Sequence, residues 1–304
     1  MDDFKLEVPV ALFFFNRPDS EKQVFEKVRE AKPSMLLLIS DGPRNDNDRE
    51  KVEATRRYVE EHIDWECEVR KNYSETNLGC RGRMASGITW ALEQTGMAIL
   101  LEDDIVPSPD FFRFCQEMLY RYRDDERIMM VSGYKAMQDH PCENSYFFSR
   151  DFPIWGWATW KRAWDLYDAD IKSWPRYREK RSLENTVFPK QFYEQKALEY
   201  DKVWDHSYDT WDFQWNYCCI VNHGLGVIPA VNLIKNIGFN MEATHTVSQE
   251  AYTRGEPGRL DFPLVHPGEM MPDYAYDLAH MNRMAGGSGF MSRLKKAARR
   301  ILRR

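Results

Sequence analysis

Apolar residues occur as short unbroken runs through the first 135 positions, separated by stretches with helical spacing. VPVALFFF (8–15), MLLLIS (35–40), MAILL (97–101) and IMMVS (128–132) are continuous apolar runs, the pattern of strands covered on both faces. CEVRKN (67–72) reads as one more strand, weaker because it is more polar. Between the runs, Val24, Phe25 and Val28 share one helical face, and so do Met84, Ile88 and Leu92. Asn47 with Glu50 predicts a capping box for a helix to about Glu61, and Ser108-Pro109-Asp110 predicts a helix start. The alternation implies an α/β fold with right-handed crossovers, a mostly parallel central sheet and helices on both faces.

From about Phe147 the pattern changes. FPIWGWATWKRAWDLYDADIKSWP is aromatic and irregular, 183–222 has helical character, and GVIPAVNLIKNIGF (226–239) holds one or two short strands. Aromatics make up 14% of the chain, with 10 Trp, and concentrate between Tyr146 and Trp215. They form either a cleft wall or a bulky core. The second half is expected to pack on the edge of the first sheet.

Charge and cysteine content narrow the class. A formal charge of −6 argues against a nucleic-acid partner. No apolar run is long enough to span a membrane, and MDDFKLEV lacks the basic-then-apolar signature of a signal peptide. Six Cys without C-x-x-C spacing read as reduced thiols of a cytoplasmic protein.

The chemistry-bearing residues lie where the strands end. Ligands of open parallel sheets bind outside the carboxyl ends of the strands. Asn16 and Arg17, Asp41, the Asn77–Arg83 loop and the triplet Glu102-Asp103-Asp104 all occupy such ends. Adjacent carboxylates there raise one another's pKa unless a cation neutralises them. Mg²⁺ or Mn²⁺ does so, commonly with one or two carboxylates plus substrate phosphates. The plainer alternative is a solvated turn that complements the next helix's dipole. The strand directly before the triplet, and Asp41 on the same rim, favour the ligand site. No P-loop and no dinucleotide-binding glycine motif is present, so Arg17, Arg81 and Arg83 are the candidates for a diphosphate.

AILLEDDIVPSPDFFRF resembles the metal-binding segment of GT-A nucleotide-sugar glycosyltransferases, closest to inverting N-acetylglucosaminyltransferases and their bacterial relatives. FFFNRP, ISDGPR, NYSETNLGC, IWGWATW and DTWDFQW extend the resemblance in order over roughly 8–246. It implies a Rossmann-like GT-A catalytic domain over 1–246. Residues 1–134 would be the nucleotide-sugar half and 135–246 an irregular, aromatic-rich acceptor half, followed by a C-terminal extension (247–289) and a basic tail (290–304). It also implies residue roles. Asp104 would bind the metal, with His245 of ATHT near it or the diphosphate. Glu102 and Asp103 would face donor sugar and ribose, while Asn16, Arg17 and Asp41 hold the nucleoside. Arg81 or Arg83 would reach phosphates or base. Trp155, Gly156, Trp157 and Trp211 would line the acceptor side, and Asp212 would be the general base, with Asp209 competing.

The implied reaction is metal-dependent, inverting transfer from a nucleoside-diphosphate sugar, UDP first, to a glycan or glycolipid of surface polysaccharide synthesis. Mn²⁺ or Mg²⁺ would stabilise the leaving diphosphate and one carboxylate would accept the hydroxyl proton. FMSRLKKAARRILRR (290–304) has seven Lys/Arg, no acid, and Phe290, Leu294, Ala298 and Ile301 on one helical face. Such a tail suits the anionic inner face of a membrane, nucleic acid, or plain solvent; a lipid-linked acceptor favours the first. The rival readings are a sugar nucleotidyltransferase, a non-catalytic carbohydrate-binding module that stacks sugars on its Trp residues, and, more weakly, a methyltransferase.

Overall fold

A computed structural model of the chain describes residues 4–185, 187–238 and 256–284. The apolar runs become β1 (Val10–Phe14), β2 (Met35–Ser40), β4 (Met97–Glu102) and β6 (Ile128–Ser132), and the more polar run becomes β3 (Glu68–Tyr73). Three further strands join them: β7 (Tyr146–Ser149), β8 (Trp157–Trp160) and β9 (Leu225–Pro229). The eight form one sheet in the order β3-β2-β1-β4-β8-β6-β9-β7. β8 and β7 run against the other six, so the sheet is mostly parallel. The second half therefore continues the sheet and inserts β8 between β4 and β6, instead of packing on its edge.

Alternate residues on each strand feed opposite cores, as the two-residue period requires. Val10, Leu12, Leu36, Leu38, Ile99 and Leu101 join the face covered by α1 (Pro18–Ala31), α2 (Asp46–Glu61) and α4 (Pro109–Arg121). Ala11, Phe13, Leu37, Ile39, Ala98 and Leu100 join the other face. There α3 (Gly79–Thr95), α5 (Lys161–Trp164), α6 (Trp174–Glu179), α7 (Lys190–Trp204) and α8 (Asp212–Val221) pack. Residues 274–284 form a further helix, α9. α2 is capped by Asn45, whose side chain accepts from the Asp48 N–H, so the expected Asn47 box is displaced by two residues. Ser108 precedes α4 without capping it through its side chain.

The Trp-rich segment is core. Trp157, Trp164, Trp211 and Trp215 are at most 4% exposed, and Trp157 stacks on Trp211 at 5.7 Å and 20°. Trp164 lies 5.1 Å from Trp215. Rings enclosed this way offer no face to a sugar, so these four cannot serve as a stacking platform.

Where β1 has β2 on one side and β4 on the other, the sheet reverses its winding and opens a crevice at the strands' carboxyl ends. A two-stranded sheet covers part of that rim: β5 (Ile105–Pro107), directly after the acids, pairs antiparallel with β10 (Ile234–Asn236). The loop after β2 is pressed against the loop after β3. A Cβ at Gly42 would lie 2.4–2.6 Å from backbone atoms of Thr76. Gly42→Ala should therefore cost about 1–3 kcal/mol in urea unfolding; unchanged stability would contradict this close approach.

Candidate active site

β1 and β4 are in register with Phe13 opposite Glu102, so Asn16 and Arg17 leave β1 beside the acids that leave β4. Arg17 spans the crevice: its Nη1 lies 3.2 Å from Asp104 Oδ2 and 3.5 Å from Asp103 Oδ1. The Phe15 N–H donates to Asp103 Oδ2 at 3.2 Å. One guanidinium thus faces three carboxylates. Desolvation, then Asp104, pushes the Asp103 carboxyl up to about 7. Desolvation raises Asp104 too, against the pull of Arg17, and raises Glu102 well above the usual range, helped by Asp104, Asp103 and Asp212.

Glu21 of α1 adds to the imbalance. It is fully buried, neither of its carboxylate oxygens has a hydrogen-bond partner, and burial followed by Asp103 raises its pKa well above normal. Helical spacing alone puts Glu21 on the face of Val24, Phe25 and Val28; only its charge hid that from a hydrophobic pattern.

Asp212 approaches the same opening from the other side. It is the first residue of α8, and the Thr210 hydroxyl donates to its Oδ1. Cys80, in the first turn of α3, reports the convergence: desolvation, then Glu102, Asp212, Asp209 and Asp41, pushes its thiol up to about 12. A pocket of about 200 Å³ runs from Asp212 along Trp155, Phe213, Asn216, Lys196 and His280. His280 belongs to α9, and its Nδ1 lies 2.5 Å from Asp151 Oδ2. Burial raises Asp151, but the His280 imidazole, with Lys196 and the Phe152 N–H, offsets that and holds it below the usual range. Asp209 is turned elsewhere, accepting from the Arg81 N–H at 3.3 Å.

Several expected donor contacts are corrected. Asp41 is spent on its own chain: Oδ1 accepts from the Gly42 and Leu78 N–H groups at 2.8 and 2.9 Å, and Oδ2 from Asn77 Nδ2 at 3.0 Å. Those bonds fix the loop after β3. Arg81 donates to Asp170 at 2.8 Å and to the Ala169 carbonyl at 2.7 Å, tying α3 to the 168–170 turn. Arg83 is buried and bonds Asn72. Of the three arginines, only Arg17 meets the acids.

Asn16 donates to Asp48 Oδ1 at 2.6 Å. Arg44, which sequence reasoning missed, bonds the same carboxylate, holds it down to about 2, and lies over the Phe15 ring at 5.2 Å. The DGPR turn that carries it is the signal that could have found it. Among the acceptor candidates, Trp155 lines the pocket, whereas Trp157 and Trp211 are buried behind it. Gly156 has φ +59°, and a Cβ there would meet Ile234 at 2.8 Å, so it serves the junction with the small sheet.

The donor set at the crevice is hard oxygen, as Mg²⁺ or Mn²⁺ prefers. Among the described residues no three His, Cys, Asp or Glu side chains form a metal cluster. Asp104 fits such an ion as a single protein ligand beside a substrate's phosphate oxygens. The chain just after β10 passes close: a Cβ at Gly238 would meet Asp104 Oδ2 at 2.1 Å, and the Ile237 N–H donates to the Asp104 carbonyl at 2.8 Å. His245 and the basic tail lie outside the described residues.

No protein-family model matches the chain, and no curated protein is similar to it. Among solved structures, it is similar to S. aureus TarS residues 1–349, with 9% identity, 75% of this chain, 59% of that chain and a TM-score of 0.43. It is also similar to a UDP-glucose pyrophosphorylase complexed with UDP-glucose, with 9% identity, 52% and 78% coverage and a TM-score of 0.33. A third is the 4-diphosphocytidyl-2C-methyl-D-erythritol synthase from Anaerococcus prevotii, with 11% identity, 67% and 85% coverage and a TM-score of 0.34. The chain covers less than two thirds of the first of these.

A raised carboxyl pKa favours the folded state only while the group is protonated. The Asp103 contribution is complete below its unfolded pKa near ~4 and is lost as pH rises through about 7. Asp103→Asn should therefore raise the melting temperature of the metal-free protein at pH 8 and change it little at pH 4.5. A lower melting temperature at pH 8 would refute the charge imbalance.

Proposed function

We propose that the chain is a metal-dependent, inverting glycosyltransferase that moves a sugar from a nucleoside-diphosphate donor, UDP first, to a hydroxyl of a glycan. The observation that carries this reading is the convergence at one opening of the acids that leave β4, bridged by Arg17 from the end of β1, and of Asp212 at the mouth of a pocket. The GT-A resemblance of the motifs supports it.

Arg17 is placed to bind a diphosphate entering the crevice, since it already spans the gap and remains half-exposed. Asp104 would hold Mn²⁺ or Mg²⁺, with His245 as a further candidate, and the ion when bound would offset the charge of the departing diphosphate. Glu102 and Asp103 close the crevice floor, on the side of the donor's ribose and sugar. Asp212 accepts the proton of the attacking hydroxyl at the carboxylate that Thr210 orients through Oδ1. Attack from the pocket side, opposite the leaving diphosphate, is a single displacement and inverts the anomeric carbon. The pocket favours transfer over nucleotidyl transfer because it supplies a place for a second sugar next to a base.

A thermal-shift titration of the full chain with UDP and Mn²⁺ should show stabilisation that needs both components. Asp104→Ala should abolish it. Asp212→Asn should keep it while lowering transfer by about 10²–10⁴-fold. Pyrophosphate release from a nucleoside triphosphate and a sugar phosphate would overturn the reading in favour of a nucleotidyltransferase.

A further inference from the structure

The Asp212 pocket has a neighbour on the side away from the acids of β4. Phe152 is shared between it and a second cavity of about 340 Å³. One face of α8 serves both: Asp212 and Asn216 line the first, Ile220 lines the second, and His223 just beyond the helix joins it. The α9 side does likewise, with His280 at the catalytic end and Pro272, just before the helix, at the far end. The C-terminal extension is firmly seated there. Buried Asp277 accepts from the Ser149 hydroxyl at 2.5 Å and the Arg150 N–H at 3.1 Å, and the Tyr276 hydroxyl accepts from the Ala136 N–H at 2.9 Å.

The two ends differ in charge: Asp212 sits with Lys196 and His280 at the catalytic end, whereas Arg127, Arg150 and His223 line the far cavity and no acid does. Arg127 is paired with Asp125 at 2.7 Å; Arg150 has no ion pair among the described residues. At the helical rise per residue, the stretch from Asp212 to His223, two residues past the end of α8, spans at most about 16 Å. Apolar walls at Phe152, Val187 and Leu225 suit the ring faces of sugars, and the cations suit an anion.

We propose that the groove between α8 and α9 is the acceptor site, and that its substrate is an extended glycan bearing a carboxylate or phosphate about 16 Å from the accepting hydroxyl. This rests on the glycosyltransferase reading and names the acceptor class for it. His280, held by Asp151, contacts the accepting sugar, and Arg150 with His223 selects the anion.

Ligand-observed NMR titrations of the full chain test this with three probes: tetragalacturonate, phosphorylated mannopentaose and neutral maltotetraose. At least one anionic probe should bind roughly fivefold or more tightly than the neutral one, and the stronger of the two tells carboxylate from phosphate. Arg150→Ala with His223→Ala should erase that preference without changing the melting temperature, because both side chains are exposed. Asp212→Asn should retain it. Equal binding of maltotetraose, a preference that survives the double substitution, or no glycan binding would overturn the proposal. If the UDP and Mn²⁺ stabilisation persists under any of these outcomes, the donor reading stands and only the acceptor assignment fails.

Discussion

A single guanidinium holds together a corner of the fold that carries too much negative charge. Arg17 leaves β1 and meets Asp103 and Asp104 as they leave β4, across the gap where the sheet reverses direction. Glu102 and the fully buried Glu21 stand close behind. Partly desolvated carboxylates repel one another strongly, and a fold selected for stability alone would replace them with apolar side chains. Their grouping at a strand-end crevice is what the proposed uptake of a cation from outside the chain would explain.

The rest of the molecule braces that corner and brings a further carboxylate, Asp212, to it. Trp157 of β8 stacks on Trp211, and Trp164 packs on Trp215, so the start of α8 is locked to the sheet beside β4. That block fixes the position of Asp212 without touching substrate. Asp41 makes a comparable contribution on the opposite side by pinning the loop after β3. Asp41, Arg81 and Arg83 thus bond within the chain, while Arg17, the acids after β4 and Asp212 meet at the crevice and the pocket beyond it.

Much of the fold was legible in the sequence because buried parallel strands announce themselves as unbroken apolar runs. β1, β2, β4 and β6 do so, and the acids after MAILL marked the crevice. β8 did not, because WATW is four residues of a longer aromatic stretch whose burial on both faces erases any alternation. Residue types at the site were legible, partners less so. Arg81 and Arg83 look like phosphate ligands in a loop, but α3 begins at Gly79 and turns them toward Asp170 and Asn72. Glu21 and His280 escaped notice because their partners, Asp103 and Asp151, lie 82 and 129 residues away in the chain, and Arg44 because its partner Asp48 belongs to the following helix.

The central claim is that the crevice takes up a divalent cation together with a diphosphate. The free-ion EPR signal of Mn²⁺, titrated with the protein in the presence of UDP, tests it most directly. The account requires the signal to fall to an end point of one ion per chain, with markedly weaker uptake when UDP is omitted. A signal that stays at its buffer value at every protein concentration, with UDP present, would contradict it.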